Sequence, residues 1–356
     1  MNEKRIYGLW ALTAVAMLAA GGLLITTMSG CGGGSGKVLS GGGSTFVAPM
    51  MREWSDTYEK EKGIKINYTE GGSGNGIQQM TAKMYIFGCT DAPMNAKELE
   101  AAKKEGGEVV HIPLVIGAVV PAYNLKDAKE PIKFTGPVLA DIYLGAIKKW
   151  NDDALVRLNP NAALPDKKIV VVHRSEPSGT TFIWTDYLSK VSPEWKEKVK
   201  SGKEVTWPVG EGQKGTDGVA NLVGATDGAI GYVEVLYALN NKDKISFGSV
   251  RNADGEDVLA DKMEGLTAAA ESAEIPDDLC VNLTNAPGKK SYPICSAVWA
   301  VAYAKQPADK GKMLVDFLKW ATHDGQKHAD GLHYAALPKA LIDKVDKKLE
   351  TIKVGE

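Results

Sequence analysis

Glycines recur beside Ser and Thr hydroxyls at three places: Gly41-Gly42-Gly43-Ser44-Thr45, Gly71-Gly72-Ser73-Gly74-Asn75-Gly76, and Arg174-Ser175-Glu176-Pro177-Ser178-Gly179-Thr180. Each run stands before a helical pattern. A helix start presents unpaired N–H groups and the positive end of the helix dipole, so such loops suit phosphate, sulfate or carboxylate. Taken singly, each is also an ordinary cap, and the three gain meaning only if they converge. Arg174 adds a planar fork matched to two oxygens of a tetrahedral anion; its plainer use is a surface salt bridge to Glu176. Asp91, in Phe87-Gly88-Cys89-Thr90-Asp91-Ala92-Pro93, suits a turn before proline. The next helix already has a capping box in Asn95-Ala96-Lys97-Glu98, which leaves Asp91 free for another role.

Several chemistries are disfavoured. The Gly-x-x-x-x-Gly-Lys-Ser/Thr spacing of a nucleotide loop and the Gly-x-Ser-x-Gly elbow are both absent, and no His is tied by motif to a Ser or Asp. His323, His328 and His333 recur every five residues, which scatters them around a helix, and no Cys-x-x-Cys pair occurs. No metal, no cofactor and no enzymatic activity are expected. Forty-two basic and 44 acidic residues give a net charge of −2, which offers no field for nucleic acid.

The elements that must position these residues follow an α/β rhythm of β-rich run, Gly/Ser/Thr loop and amphipathic helix, predicting layers around a largely parallel sheet. Before Gly63 lies a helix with Pro49 in its first turn and Trp54 and Tyr58 four apart. The run from Ile64 to Thr69 predicts a strand, followed by a helix with Ile77, Met80 and Met84 on one face. Residues 168–172 predict another strand and 181–191 another helix. Gly210 to Gly215 reads as a turn. The apolar runs 112–122 and 297–304 are candidates for strands passing between two lobes, and a charged helix over 309–322 follows the return. At 356 residues, a two-lobed body is the natural expectation.

The N-terminus reads as a targeting segment: Lys4 and Arg5, an apolar stretch from Ile6 to Ile25, then Met28-Ser29-Gly30-Cys31. An uncleaved membrane helix is the alternative, but small residues directly before a cysteine resemble a bacterial lipobox with Cys31 as the lipidated residue. This gives a signal peptide over 1–30 and a flexible glycine tether over 31–37. Cys280 and Cys295 share one loop-rich stretch; a disulfide between them is expected if the geometry allows, and two buried thiols otherwise.

Taken together, Gly-Ser-Thr-Phe at 43–46, Gly-Ser-Gly at 72–74, Thr-Asp-Ala-Pro at 90–93 and Arg174 with Ser178-Gly179-Thr180 resemble the phosphate-binding protein of the phosphate-specific ABC transporter. The resemblance continues through residues 141–145, 148–152, 207–210 and 228–234. It implies a type II periplasmic-binding-protein fold, two α/β lobes joined by two crossover strands, with 38–118 and 293–356 as a discontinuous first lobe and 119–292 as the second. It also implies that Thr45, Phe46 through its N–H, Ser73, Asp91, Arg174, Ser178, Gly179 and Thr180 hold the anion. The chain departs from the family at Ile86, Cys89 and Glu176-Pro177. The expected function is capture of inorganic phosphate and delivery to a permease, by a monomer anchored through lipid to a bacterial membrane, in the periplasm or at the cell surface. Other oxyanions (arsenate, sulfate, molybdate), a secreted phosphatase, and a surface sensor or adhesin are the alternatives. A buried Asp91 would repel a fully ionised anion yet accept a hydrogen bond from one that keeps a proton, as phosphate does and sulfate does not.

Overall fold

Strand Lys37–Gly43 pairs in parallel with Ile64–Glu70 on one side and Phe87–Thr90 on the other. The computed structural model describes residues 37–128 and 130–355. The segment 1–30, Cys31 and the rest of the tether up to residue 36 lie outside the described residues; Lys37 opens the strand.

The organising element is the 15-residue strand Val109–Tyr123, buried along almost its whole length, as a continuous apolar run covered on both faces should be. Val109 to Ala118 pair antiparallel with Cys295–Tyr303, and Val119 to Tyr123 pair antiparallel with Ala229–Glu234. Beyond these, Val170–Arg174 lies parallel to Ala229–Glu234 and to Glu211–Gln213. The sheet is therefore parallel at its flanks, and the expectation of a largely parallel sheet holds only there. Its centre is antiparallel because the chain leaves the first lobe along one long strand and returns along another.

Helix Ala48–Lys62 carries Pro49 in its first turn, buries Trp54 and Tyr58, and ends on Gly63 at φ 68°. The return segment packs on it through helix Ala308–Thr322: the Tyr58 ring lies 5.3 Å from Phe317 and 5.1 Å from Trp320, and Trp54 Nε1 donates to Gly325 O at 2.9 Å. The first and last thirds of the chain thus share one core. The Asn95 capping box forms on helix Ala96–Glu105, with Glu98 N–H on Asn95 at 3.0 Å and Asn95 N–H on Glu98 at 2.7 Å.

Two expectations need correction. Met84 does not join Ile77 and Met80, because helix Ser73–Thr81 stops and Lys83 adopts φ 60°, leaving Met84 on the surface. Cys280 and Cys295 are not bridged: Cys280 Sγ points at its neighbour Asp278 O, while Cys295 is fully buried with Sγ on Tyr292 O at 3.3 Å. Sharing a loop-rich stretch does not align two Cβ vectors. Among the described residues no helix is long and apolar enough to cross a membrane.

Candidate functional site

Gly43 ends its strand at φ 129°, a backbone conformation that L side chains rarely adopt, and this sharp exit presents Ser44 and Thr45 beyond the sheet edge. Ser44 Oγ donates to Asp91 Oδ1 and accepts the N–H of Phe46 at 3.0 Å. Asp91 itself, one residue past strand Phe87–Thr90, is 1% exposed. Ser73, the first residue of its helix, places Oγ 3.4 Å from Asp91 Oδ2 and accepts the Asp91 N–H at 3.3 Å. Helix Ser73–Thr81 sits this close because Gly76 lacks a Cβ, which would lie 2.7 Å from Gly42 O. Two of the three glycine loops therefore meet at one buried carboxylate.

The third loop arrives from the other lobe. A Cβ on Gly179 would lie 2.5 Å from Ser73 Oγ and 2.6 Å from Asp91 Oδ2, so only glycine lets the start of helix Gly179–Val191 approach. Ser178 caps that helix by accepting the Thr181 N–H at 3.3 Å. Pro177 O accepts the Gly74 N–H at 3.2 Å, so the Glu176-Pro177 departure lies on the contact between the lobes.

Arg174, last in its strand and 3% exposed, extends its guanidinium along this seam. Nε (2.9 Å) and Nη2 both donate to Glu176 Oε1, while Nη1 reaches Thr180 Oγ1 at 3.4 Å and Thr216 Oγ1 at 3.3 Å. Glu176 is thus no surface partner. It also accepts the Gly215 N–H at 3.0 Å, and it fixes one edge of the guanidinium while the other edge faces hydroxyls. Thr216 Oγ1 lies 3.0 Å from Thr45 Oγ1.

Burial pushes Asp91 up to about 6, against the opposing pull of the Ser44 hydrogen bond, the Arg174 charge and the Ser73 and Thr180 hydroxyls. Burial also pushes Glu176 upward, but the hydrogen bonds and charge of Arg174 outweigh it and hold the carboxyl below its ordinary value. Chemically, with Glu176 taken up by Arg174 and Gly215, the Asp91 carboxylate stands as an acceptor among hydroxyls, helix-start N–H groups and a guanidinium. That set matches a compact anion still carrying a proton.

The loops that carry Thr45, Ser73, Ser178, Gly179 and Thr180 meet around Asp91 and Arg174, while the Phe46 N–H is engaged by Ser44 Oγ and its ring is buried near Tyr334. Ser44 and Thr216 are the participants that sequence reasoning missed. Gly215-Thr216 opens helix Gly215–Ala225 in the same manner as the other loops, a signal hidden by reading 210–215 as a turn. Among the described residues no cluster of His, Cys, Asp and Glu could hold a metal ion.

A family model described as a PBP superfamily domain matches residues 29–324. A phosphate-binding protein PstS of Xylella fastidiosa is 44% identical over 86% of this chain and 84% of its own length. The PstS protein of Pasteurella multocida is 42% identical over 88% of this chain and 90% of its own. Among solved structures, a phosphate-binding protein from Stenotrophomonas maltophilia aligns with TM-score 0.67 at 20% identity, covering 87% of this chain and 93% of that one. A putative phosphate ABC transporter substrate-binding protein with bound phosphate from Clostridium perfringens aligns with TM-score 0.60 at 20% identity, covering 85% and 100%. These two likenesses show the two-lobed fold.

Proposed function

The chain belongs to the PstS family of phosphate-binding proteins, and on that premise we propose that it captures inorganic phosphate between its lobes and delivers it to the permease subunits of an ABC-type importer. The observation that carries this is the placement of Asp91, a buried carboxylate among converging donors, while the other carboxylate of the site, Glu176, is engaged by Arg174. Thr45, the Phe46 N–H, Ser73, Asp91, Arg174, Ser178, Gly179 and Thr180 are assigned as phosphate-holding groups. A protonated oxygen of the anion donates to Asp91, and the remaining oxygens accept from Arg174 and the helix starts. Sulfate, with no proton to give near neutral pH, meets an unpaired buried negative charge, whose cost of several kcal/mol excludes it.

The lobe boundaries proposed are 38–118 with 293–356, and 119–292, in keeping with the change of strand partner after Ala118. The protein acts outside the cytoplasmic membrane as a monomeric carrier without catalytic activity, tethered by lipid on Cys31. Calorimetric titration of ligand-stripped protein tests the capture: phosphate should bind tightly, arsenate should compete, and sulfate should give no heat. Tight sulfate binding would overturn the assignment of Asp91, and absence of phosphate binding would overturn the function.

A further inference from the structure

We propose that Lys203 is a positioning residue that latches the lobes around the bound anion, tying the Ser178 helix cap to the segment that follows Asp91. Its carbonyl accepts the Ser178 N–H at 2.9 Å, and Nζ crosses to the opposite lobe, donating to Glu98 Oε2 at 2.7 Å and to Pro93 O at 3.2 Å. Pro93 stands two residues after Asp91. A single residue therefore grips both walls of the site without touching its anion-facing atoms.

The loop that carries Lys203 is itself fixed to the helix it serves. Gly202 N–H donates to Thr185 Oγ1 at 3.1 Å, while Thr185 Oγ1 reaches Thr181 O at 2.8 Å, so residues 202 and 203 hold helix Gly179–Val191 at its cap and again along its second turn. Movement of the anion-facing helix start carries Lys203 with it. Across the seam, Glu98 Oε2 also accepts the Asn95 N–H, which fixes the carboxylate on its own helix.

The ion pair differs in setting from most others in the molecule. The Lys203 and Glu98 side chains are 10% and 22% exposed, whereas Lys104 and Glu100 are 72% and 67% exposed. Exposed pairs contribute little because water and salt screen them. A sequestered pair with a second acceptor on the ammonium is screened less, and removing one partner strands the other. Glu98 precedes the Val109–Tyr123 strand and Lys203 follows it, so opening the lobes must break this pair. Its contribution falls on retention of the anion more than on its recognition.

This latch rests on phosphate capture by lobe closure, and its test is the release rate of phosphate from the full chain, measured by stopped flow for wild type, Lys203→Met, Glu98→Gln and the double variant. Gln serves in a capping box, so Glu98→Gln keeps the helix cap while removing the charge. Each single variant should speed release at least about threefold with association nearly unchanged, and the double should release no faster than the faster single. Wild-type release in both singles, or effects that multiply in the double, would overturn the latch. Failure of wild type to bind phosphate would refute the functional assignment instead.

Discussion

Thr45 and Thr216, 171 residues apart, share a 3.0 Å contact between hydroxyls across the seam of the two lobes, and the Arg174 Nη1 donates to the same Thr216 oxygen at 3.3 Å. Thr216 Oγ1 thus contacts one group from each lobe that is assigned to the proposed site. Thr216→Val keeps the shape and removes both bonds. With a neutral hydrogen bond contributing about 1 kcal/mol, phosphate affinity should weaken by roughly three- to tenfold in calorimetry, and Thr216→Ser should recover most of it.

Asp91→Asn replaces an acceptor-only carboxylate with an amide that also donates. On the proposed role of Asp91, its repulsion of a fully ionised anion should disappear with it. Competition binding should show sulfate displacing phosphate from the variant at concentrations at least about tenfold lower than from wild type. An unchanged sulfate profile would remove Asp91 from the selectivity filter.

The same carboxyl sets a pH dependence for the ligand-free protein. Its folded value lies near 6 against an ordinary 3.8, with burial as the main cause, so between these limits the folded state holds a proton that the unfolded chain has lost. The Asp91 contribution to stability is fully present below about pH 4 and is lost as the pH rises through about 6, by up to roughly 3 kcal/mol. Melting temperatures of stripped wild type and Asp91→Asn, compared across that window, should diverge: wild type loses stability relative to the variant as the pH increases.

Cys280 is the one partly exposed thiol of the three described, Cys89 and Cys295 being buried. In native, unreduced protein, alkylation should modify Cys280 alone, with Cys89 and Cys295 reacting only after denaturation. Intact mass should not change on reduction. A gain of about two protons' mass would instead restore the expected bridge.

Local signals were legible where backbone chemistry is local. Pro49, Gly63 and the Asn95-Glu98 box marked helix ends because capping depends on residues a few positions apart. Periodicity failed at Met84, where the left-handed Lys83 interrupts a pattern that apolar spacing alone cannot end. The three glycine loops, Arg174 and Asp91 stand out by residue chemistry, and the family motifs add the residue set assigned to the anion. The pairings that join the lobes were not visible: Thr45 with Thr216, Lys203 with Glu98, and Gly179 against Asp91 depend on how the Val109–Tyr123 strand sets one lobe against the other, and no spacing in the chain encodes that distance. Glu176, adjacent enough in sequence to suggest a surface salt bridge to Arg174, is half-buried and braces the guanidinium and the Gly215 N–H together.

On the proposed function, Arg174 supplies the positive charge that a dehydrated phosphate requires. Parallel calorimetric titrations of phosphate into ligand-stripped wild type and Arg174→Ala test it most directly. A charge-assisted hydrogen bond contributes about 1.5–3 kcal/mol, and a bidentate one more, so affinity should fall at least about tenfold in the variant while its melting profile stays cooperative. Equal affinity in the two proteins would contradict the assigned site.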